Sequence, residues 1–297
     1  MSESHRPGTR GQEHLIEIDA PVEAVWRAIT EAEEVTRWYV QEARIDPRVG
    51  GTYEVSWGEG MDGASEIMAF EPGRRLRIQH RPTPGSPEMP TGPMVEEYLL
   101  ETRGGATVLR LVTSGIPDSE DWDWFYEGTK RGWTIFLMTL RHYLERHRGV
   151  PRDHFVTMVG IPGSCEEAWP KLMGPDGLGL ADLPESVGPD TTYRGRTGFD
   201  QELEGRILLL DPPYRLLATV TGLNDAVLGA TLERMGPSNF LYLSLSMFGL
   251  GEAETERIRT RWGAWASALF PDAGSPADAF RDMFDGGAAT APGGHDA

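Results

Sequence analysis

Four side chains in the first half of the chain could move a proton: Glu54, His80, Glu96 and Glu97, each in or beside a segment with strand-like alternation. A carboxylate or imidazole desolvated beside aromatic rings acquires the shifted pKa that general acid–base chemistry needs. Alternation sets Glu96 with Tyr98 on one face and Glu97 with Leu99 on the other, so at most one of the two glutamates points inward. The ordinary state of such strand residues is outward and solvated, and no catalytic residue is assigned from the sequence.

Aromatic residues surround these groups in larger number. Trp38, Tyr53, Trp57, Tyr98, Trp122, Phe125, Trp133 and Phe136 are the candidate ligand-binding set, because large flat side chains bury much area and stack on flat ligands. Taken singly, each reads as a core residue; taken together they suit the lining of an apolar interior. Tyr53, Val55 and Trp57 share one face of their strand, so an inward apolar face points Trp57 into that interior. Trp124 lies off the helical stripe, as a gate or as a half-exposed residue.

Other chemistries lose their footing. The seven histidines show no HxxxH or HExxH spacing, and Cys165 is the single cysteine, so no metal site is expected. The acidic run from Asp118 to Trp124 lacks the glycine and closing glutamate of a calcium loop and reads as a helix start. Gly249–Glu252 is too short a glycine motif for a nucleotide, and no GxSxG or P-loop occurs, so no cofactor is expected. Only Lys130 and Lys171 could form a Schiff base.

A net charge of −18, shared by two acidic halves, repels phosphate backbones and excludes nucleic acid as a partner. The 17-residue uncharged stretch from Met235 to Gly251 alternates as a strand does, so no membrane insertion is expected. The polar beginning of the chain carries no apolar signal segment, and a cytoplasmic location is expected.

These residues must be positioned by something, and the chain offers a weak internal repeat. HLIEIDAPVEAVWRAIT and HFVTMVGIPGSCEEAWPKLM each read as a strand, a proline turn and a helix, with Trp26 and Trp169 in matching places 143 residues apart. FEPGRRLRI and LLDPPYRLLATV repeat a strand, an acidic-proline turn and a strand. A hairpin follows in each copy, turning at Gly104-Gly105 in the first and at Gly236-Pro237-Ser238 in the second. Each copy ends in a long helix, with an apolar stripe from Trp122 to Leu144 and from Ile258 to Leu269. Ser119 and Asp121 are the candidate caps of the first of these helices.

The expected fold class is α+β: tandem domains, each a curved antiparallel sheet wrapped around a long C-terminal helix. The expected organisation is a disordered stretch at 1–12, domains at 13–149 and 150–272, and a flexible tail at 273–297. The proline-rich loop at 82–93 reads either as a lid on the pocket mouth or as a lengthened hairpin loop.

The first copy contains IDAPVEAVWRAIT, EEVTRWYV, PRVGGTYEV, FEPGRRLRI and GWTIFLMTLRHYL. With these segments together it resembles the START-like, or SRPBCC, superfamily with its helix-grip fold, and within it the branch related to the activator of heat shock protein 90 ATPase. The second copy keeps the outline without the GGTYE wording. The resemblance implies a cavity between sheet and helix that takes a small hydrophobic ligand, aromatic or polycyclic. It leaves three functions: ligand binding first, polyketide aromatase or cyclase chemistry second, and chaperone contact of the Hsp90-activator type third.

Overall fold

From Gln12 to Ile18 exposed residues alternate with more buried ones, the period of a strand with one covered face, within β1 (Thr9–Ile18). Pro21 then stands at the N-cap of α1 (Val22–Thr30), followed at once by α2 (Ala32–Thr36). The chain continues through β2 (Glu42–Ile45), β3 (Thr52–Ser56), β4 (Asp62–Glu71), β5 (Arg75–Arg81), β6 (Val95–Arg103) and β7 (Ala106–Pro117). A 3-10 turn at Glu120–Trp122 leads into the 24-residue helix α3 (Asp123–Arg146). In the computed structural model, residues 7–58, 62–82, 92–183, 187, 191–235 and 238–271 are described.

The seven strands form one antiparallel sheet in the order β1-β7-β6-β5-β4-β3-β2. The hairpin between β6 and β7 turns on Gly104 and Gly105 with φ of 58° and 96°, the positive angles that a tight turn of matching twist demands. One face of the sheet carries Ile18, Ile67, Leu76, Ile78, Leu100, Leu109 and Leu111, all buried. Trp133, Leu137, Leu140 and Leu144 of α3 are buried in the same unit.

Two details differ from the sequence reading. The first strand starts at Thr9 rather than after residue 12, because Thr9 to Gln12 pair with Pro117 to Thr113 of β7. Trp122, not Ser119 or Asp121, holds the N-cap position of α3, and Ser119 precedes the 3-10 turn without a side-chain cap bond.

The second unit repeats this plan. It runs through β8 (Arg152–Ile161), α4 (Cys165–Met173), β9 (Thr192–Arg196), β10 (Glu202–Asp211), β11 (Arg215–Val220), β12 (Ala226–Met235), β13 (Ser238–Phe248) and α5 (Glu252–Leu269). Its six strands follow the order β8-β13-β12-β11-β10-β9, the first sheet's order less one edge strand. A capping box at Ser164 and Glu167 starts α4. Leu216, Ala218, Leu228, Ala230, Leu241, Leu243 and Leu245 pack with Trp262 and Trp265 of α5. The chain divides into its two compact units at His154 and Phe155. The turn residues Gly236 and Pro237 and the tail from residue 272 lie outside the described residues.

Candidate functional site

A cavity of about 510 Å³ opens in the first unit. That volume lies within the range of small-molecule sites, about 300–1,000 Å³. The strands of the sheet's far half supply its walls: Tyr53 and Val55 on β3, Ser65 on β4, Ile78 and His80 on β5, Glu96 and Tyr98 on β6. Register brings them together. Tyr53 pairs with Ser65, Ser65 with His80, and Ile78 with Glu96, and facing residues in an antiparallel pair project from the same side.

Of the eight aromatics expected to line a pocket, Tyr53, Trp57, Tyr98 and Phe125 do line it. Trp133 and Phe136 stand one layer back. Each meets Tyr39, Trp133 stacking at 5.3 Å and Phe136 edge-on at 4.8 Å between ring centroids. Trp38 is packed away from the lining; it is 1% exposed and its indole Nε1 donates to the Ala28 carbonyl at 2.7 Å. Trp122 is not in the lining and meets the Phe125 ring edge-on at 5.7 Å. Trp124 is 45% exposed.

The aromatic hub is a residue that pattern reading passed over. Tyr39 follows α2 and lines the cavity, and its ring also meets Trp38 at 5.1 Å and Trp57 at 5.2 Å. It sits in an irregular segment, where neither a period of 3.6 nor of 2 assigns a face. Its position inside the quoted EEVTRWYV segment was the one available signal.

One acid–base pair lies in this aromatic wall. Glu96, 4% exposed, accepts from the Tyr98 hydroxyl at 3.2 Å through Oε2, and its Oε1 lies 3.2 Å from Nε2 of half-buried His80. The imidazole contact lacks hydrogen-bond alignment and becomes an ion pair when His80 is protonated. Burial works against the His80 cation, but the charge of Glu96 outweighs it and holds the pKa above the ordinary histidine value. Burial likewise pushes Tyr39, Tyr53 and Tyr98 upward, and the Glu96 charge pushes in the same direction, so all three phenols stay protonated.

Glu96 is thus inward, where the ordinary expectation was an outward, solvated residue. Its neighbour Glu97 takes the other face and accepts from Arg75 Nε at 2.6 Å. Glu54 is exposed on β3, away from the cavity lining. Such a site can bind a flat apolar molecule and can offer it one carboxylate and one imidazole.

A separate polar network holds the frame. Glu34, 5% exposed, accepts from the Tyr143 hydroxyl at 2.7 Å and pairs with Arg37, while the Gly149 amide donates to the Tyr143 oxygen at 3.0 Å. This ties α2 to the end of α3. Pro82, Gly92 and Pro93 line the cavity, whereas residues 83–91 of the proline-rich loop lie outside the described residues. No helix among the described residues is long and apolar enough to cross a membrane.

Residues 19–145 match the family model of activator of Hsp90 ATPase homolog 1-like protein. Among solved structures, the Aha1 dimer from Colwellia psychrerythraea is 24% identical, covers 47% of this chain and 99% of its own, and gives a TM-score of 0.42. DynU16, a putative protein in the dynemicin biosynthetic locus, is 20% identical, with 87% and 96% covered and a TM-score of 0.38. The di-domain ARO/CYC BexL from the BE-7585A biosynthetic pathway is 16% identical, with 95% and 100% covered and a TM-score of 0.42. No curated protein matches the sequence.

Proposed function

From a first unit that carries the START-like pattern of the Hsp90 ATPase activator homologues, we propose that this protein binds a small aromatic molecule between the sheet and the long helix of that unit. The observation that carries the reading is the cavity of about 510 Å³ with Tyr39, Tyr53, Trp57, Tyr98 and Phe125 in its wall. Rings on several sides suit a flat ligand by stacking and edge contacts, and their burial favours apolar area. The second unit, whose interior is filled with leucines and Trp262, serves as a structural partner domain.

A second reading, cyclase-type chemistry, is favoured by one specific observation: Glu96 and His80 stand 3.2 Å apart in the wall of that cavity. A buried carboxylate can take a proton from a ligand while an imidazolium returns one to a developing oxyanion. The catalytic roles in this reading fall to Glu96 and His80 alone of the four acid–base candidates, since Glu54 and Glu97 lie off the lining. Binding stands first, because stacking requires nothing beyond the lining itself.

Titration of the full-length protein with anthraquinone, followed by tryptophan fluorescence, tests the binding reading. Saturable one-to-one quenching is expected, with affinity falling about tenfold or more in Trp57→Ala through lost ring contact. Quenching that never saturates, or that is indifferent to Trp57→Ala, would remove the aromatic cavity as the binding site.

A further inference from the structure

The inward polar row of the first sheet does not end at Glu96. Glu96 on β6 stands opposite Thr113 on β7, and Thr113 stands opposite Gln12 on β1. The neighbouring row places Tyr98, Leu111 and His14 side by side in the same way. Facing residues share a side of the sheet, so Gln12, His14 and Thr113 point toward the interior that also receives Glu96 and Tyr98. Strands are spaced about 4.8 Å apart, so Gln12 stands about 10 Å from Glu96 along this row.

These side chains are enclosed and unsatisfied. Gln12 is 8% exposed and Thr113 0%, yet both amide atoms of Gln12 and the hydroxyl of Thr113 have no hydrogen-bond partner among the described residues. The same holds for Nε2 of His14 and for Nε and Nη2 of Arg10. Arg10 is nonetheless held in place: its Nη1 lies 2.6 Å from Asp123 and its guanidinium 4.3 Å over the ring of Tyr126. The Tyr126 hydroxyl also donates to the Gly11 carbonyl at 3.3 Å, which fastens the start of α3 over β1. Burial lowers the His14 pKa from the ordinary histidine value and the charge of Lys130 lowers it further, which favours the neutral imidazole.

Buried polar groups in folded proteins are almost always paired, because an unpaired one forfeits its hydration without return. Leucine at position 12 and valine at 113 would occupy similar space without that loss. An enclosed row of unpaired groups beside a cavity therefore points to something that pairs with them when bound. The row is rich in donors, with the two free guanidinium nitrogens, the Gln12 amide nitrogen and the Thr113 hydroxyl. Its natural complement is an oxygen acceptor, with the Gln12 oxygen free to receive a hydroxyl proton.

We propose that Arg10, Gln12, His14 and Thr113 form a polar recognition strip continuous with Glu96, which pairs with keto and hydroxyl oxygens carried by an aromatic ligand. The strip deepens the binding function argued above and rests on it: the aromatic lining takes the rings, and the strip takes their oxygen substituents and fixes which way round the ligand lies. Molecules with the same rings and no oxygen lose that second set of contacts and are discriminated against.

Two probes separate the lining from the strip: anthracene, and 1,8-dihydroxyanthraquinone, each titrated against the full-length protein by tryptophan fluorescence. In Gln12→Leu and in Thr113→Val, the expected result is about tenfold weaker binding of the dihydroxyanthraquinone per lost hydrogen bond, with anthracene unchanged within about twofold. The unliganded variants should also melt at higher temperature than the wild type, since an unpaired polar group has been removed. If both probes weaken equally, or neither changes in either variant, the strip does not read oxygen and the proposal fails while the cavity stands. Lowered melting temperatures with unchanged discrimination would show a strip that holds structural water only, which overturns the proposal in the same way. If neither probe binds the wild type, the cavity itself has failed and the strip with it.

Discussion

Tyr98→Phe deletes the hydroxyl that donates to Glu96 at 3.2 Å, between side chains 2% and 4% exposed. A hydrogen bond to an ionised carboxylate contributes about 1.5–3 kcal/mol and one between neutral groups about 0.5–1.5 kcal/mol. The separation is long for a hydroxyl–carboxylate bond, so the lower end of each range applies. Tyr98→Phe then costs about 1.5 kcal/mol in the wild-type background and about 0.5 kcal/mol in Glu96→Gln, whose amide oxygen keeps the acceptor but not the charge. The double-mutant cycle gives a coupling of about 1 kcal/mol. In a unit of this size each kcal/mol moves the melting temperature by about 2–4 °C, so Tyr98→Phe alone lowers it by about 3–6 °C. Scanning calorimetry of the four full-length proteins at pH 7 measures all corners of the cycle through the transition that Tyr98→Phe shifts. A coupling within about 0.3 kcal/mol of zero, the scatter of independent sites, would refute the reasoning, because an inward charged Glu96 bonded to Tyr98 cannot be indifferent to losing its charge.

The His80–Glu96 pair makes stability depend on pH. Because the folded pKa of His80 is raised, its stabilisation is full below the unfolded-state value of about 6.5 and disappears as pH rises through the folded value. His80→Gln should therefore lower the urea midpoint more at about pH 5.5 than at about pH 9, and equal losses at both would show that the charge of Glu96 does not act on it. Trp133→Ala, at a residue 4% exposed between Tyr39 and Tyr98, should cost about 3–5 kcal/mol. Trp124→Ser, at 45% exposure, should stay within about 0.5 kcal/mol. Equal effects in urea unfolding would contradict the assignment of Trp133 to the wall behind the cavity and Trp124 to the surface.

Much of the fold was legible because it rests on local patterns. The two alternating openings, the acidic-proline turns at Pro72 and Pro212, the Gly104-Gly105 hairpin and the apolar stripes of α3 and α5 all appear as the spacing implied. Period-2 alternation also separated Glu96 from Glu97 correctly, since adjacent strand residues must take opposite faces. What it could not say was which face is interior. That choice follows from which side of the sheet α3 covers, and no residue of β6 records it alone.

The site divides along the same line. Sequence by itself determined that eight aromatics and a few titratable groups lie in the first copy of the repeat, because composition and period are carried by each segment separately. Only the tertiary structure decided that Trp38 serves the frame, that Tyr39 is the hub, and that four of the eight aromatics reach the cavity. It alone set His80 beside Glu96 at 3.2 Å and left the side chains of Gln12 and Thr113 enclosed without hydrogen-bond partners among the described residues. The physical reason is register: strands distant in sequence slide into one alignment under the combined demands of turn geometry, bulges and helix packing, and a shift of one residue would turn each of these side chains to the other face of the sheet.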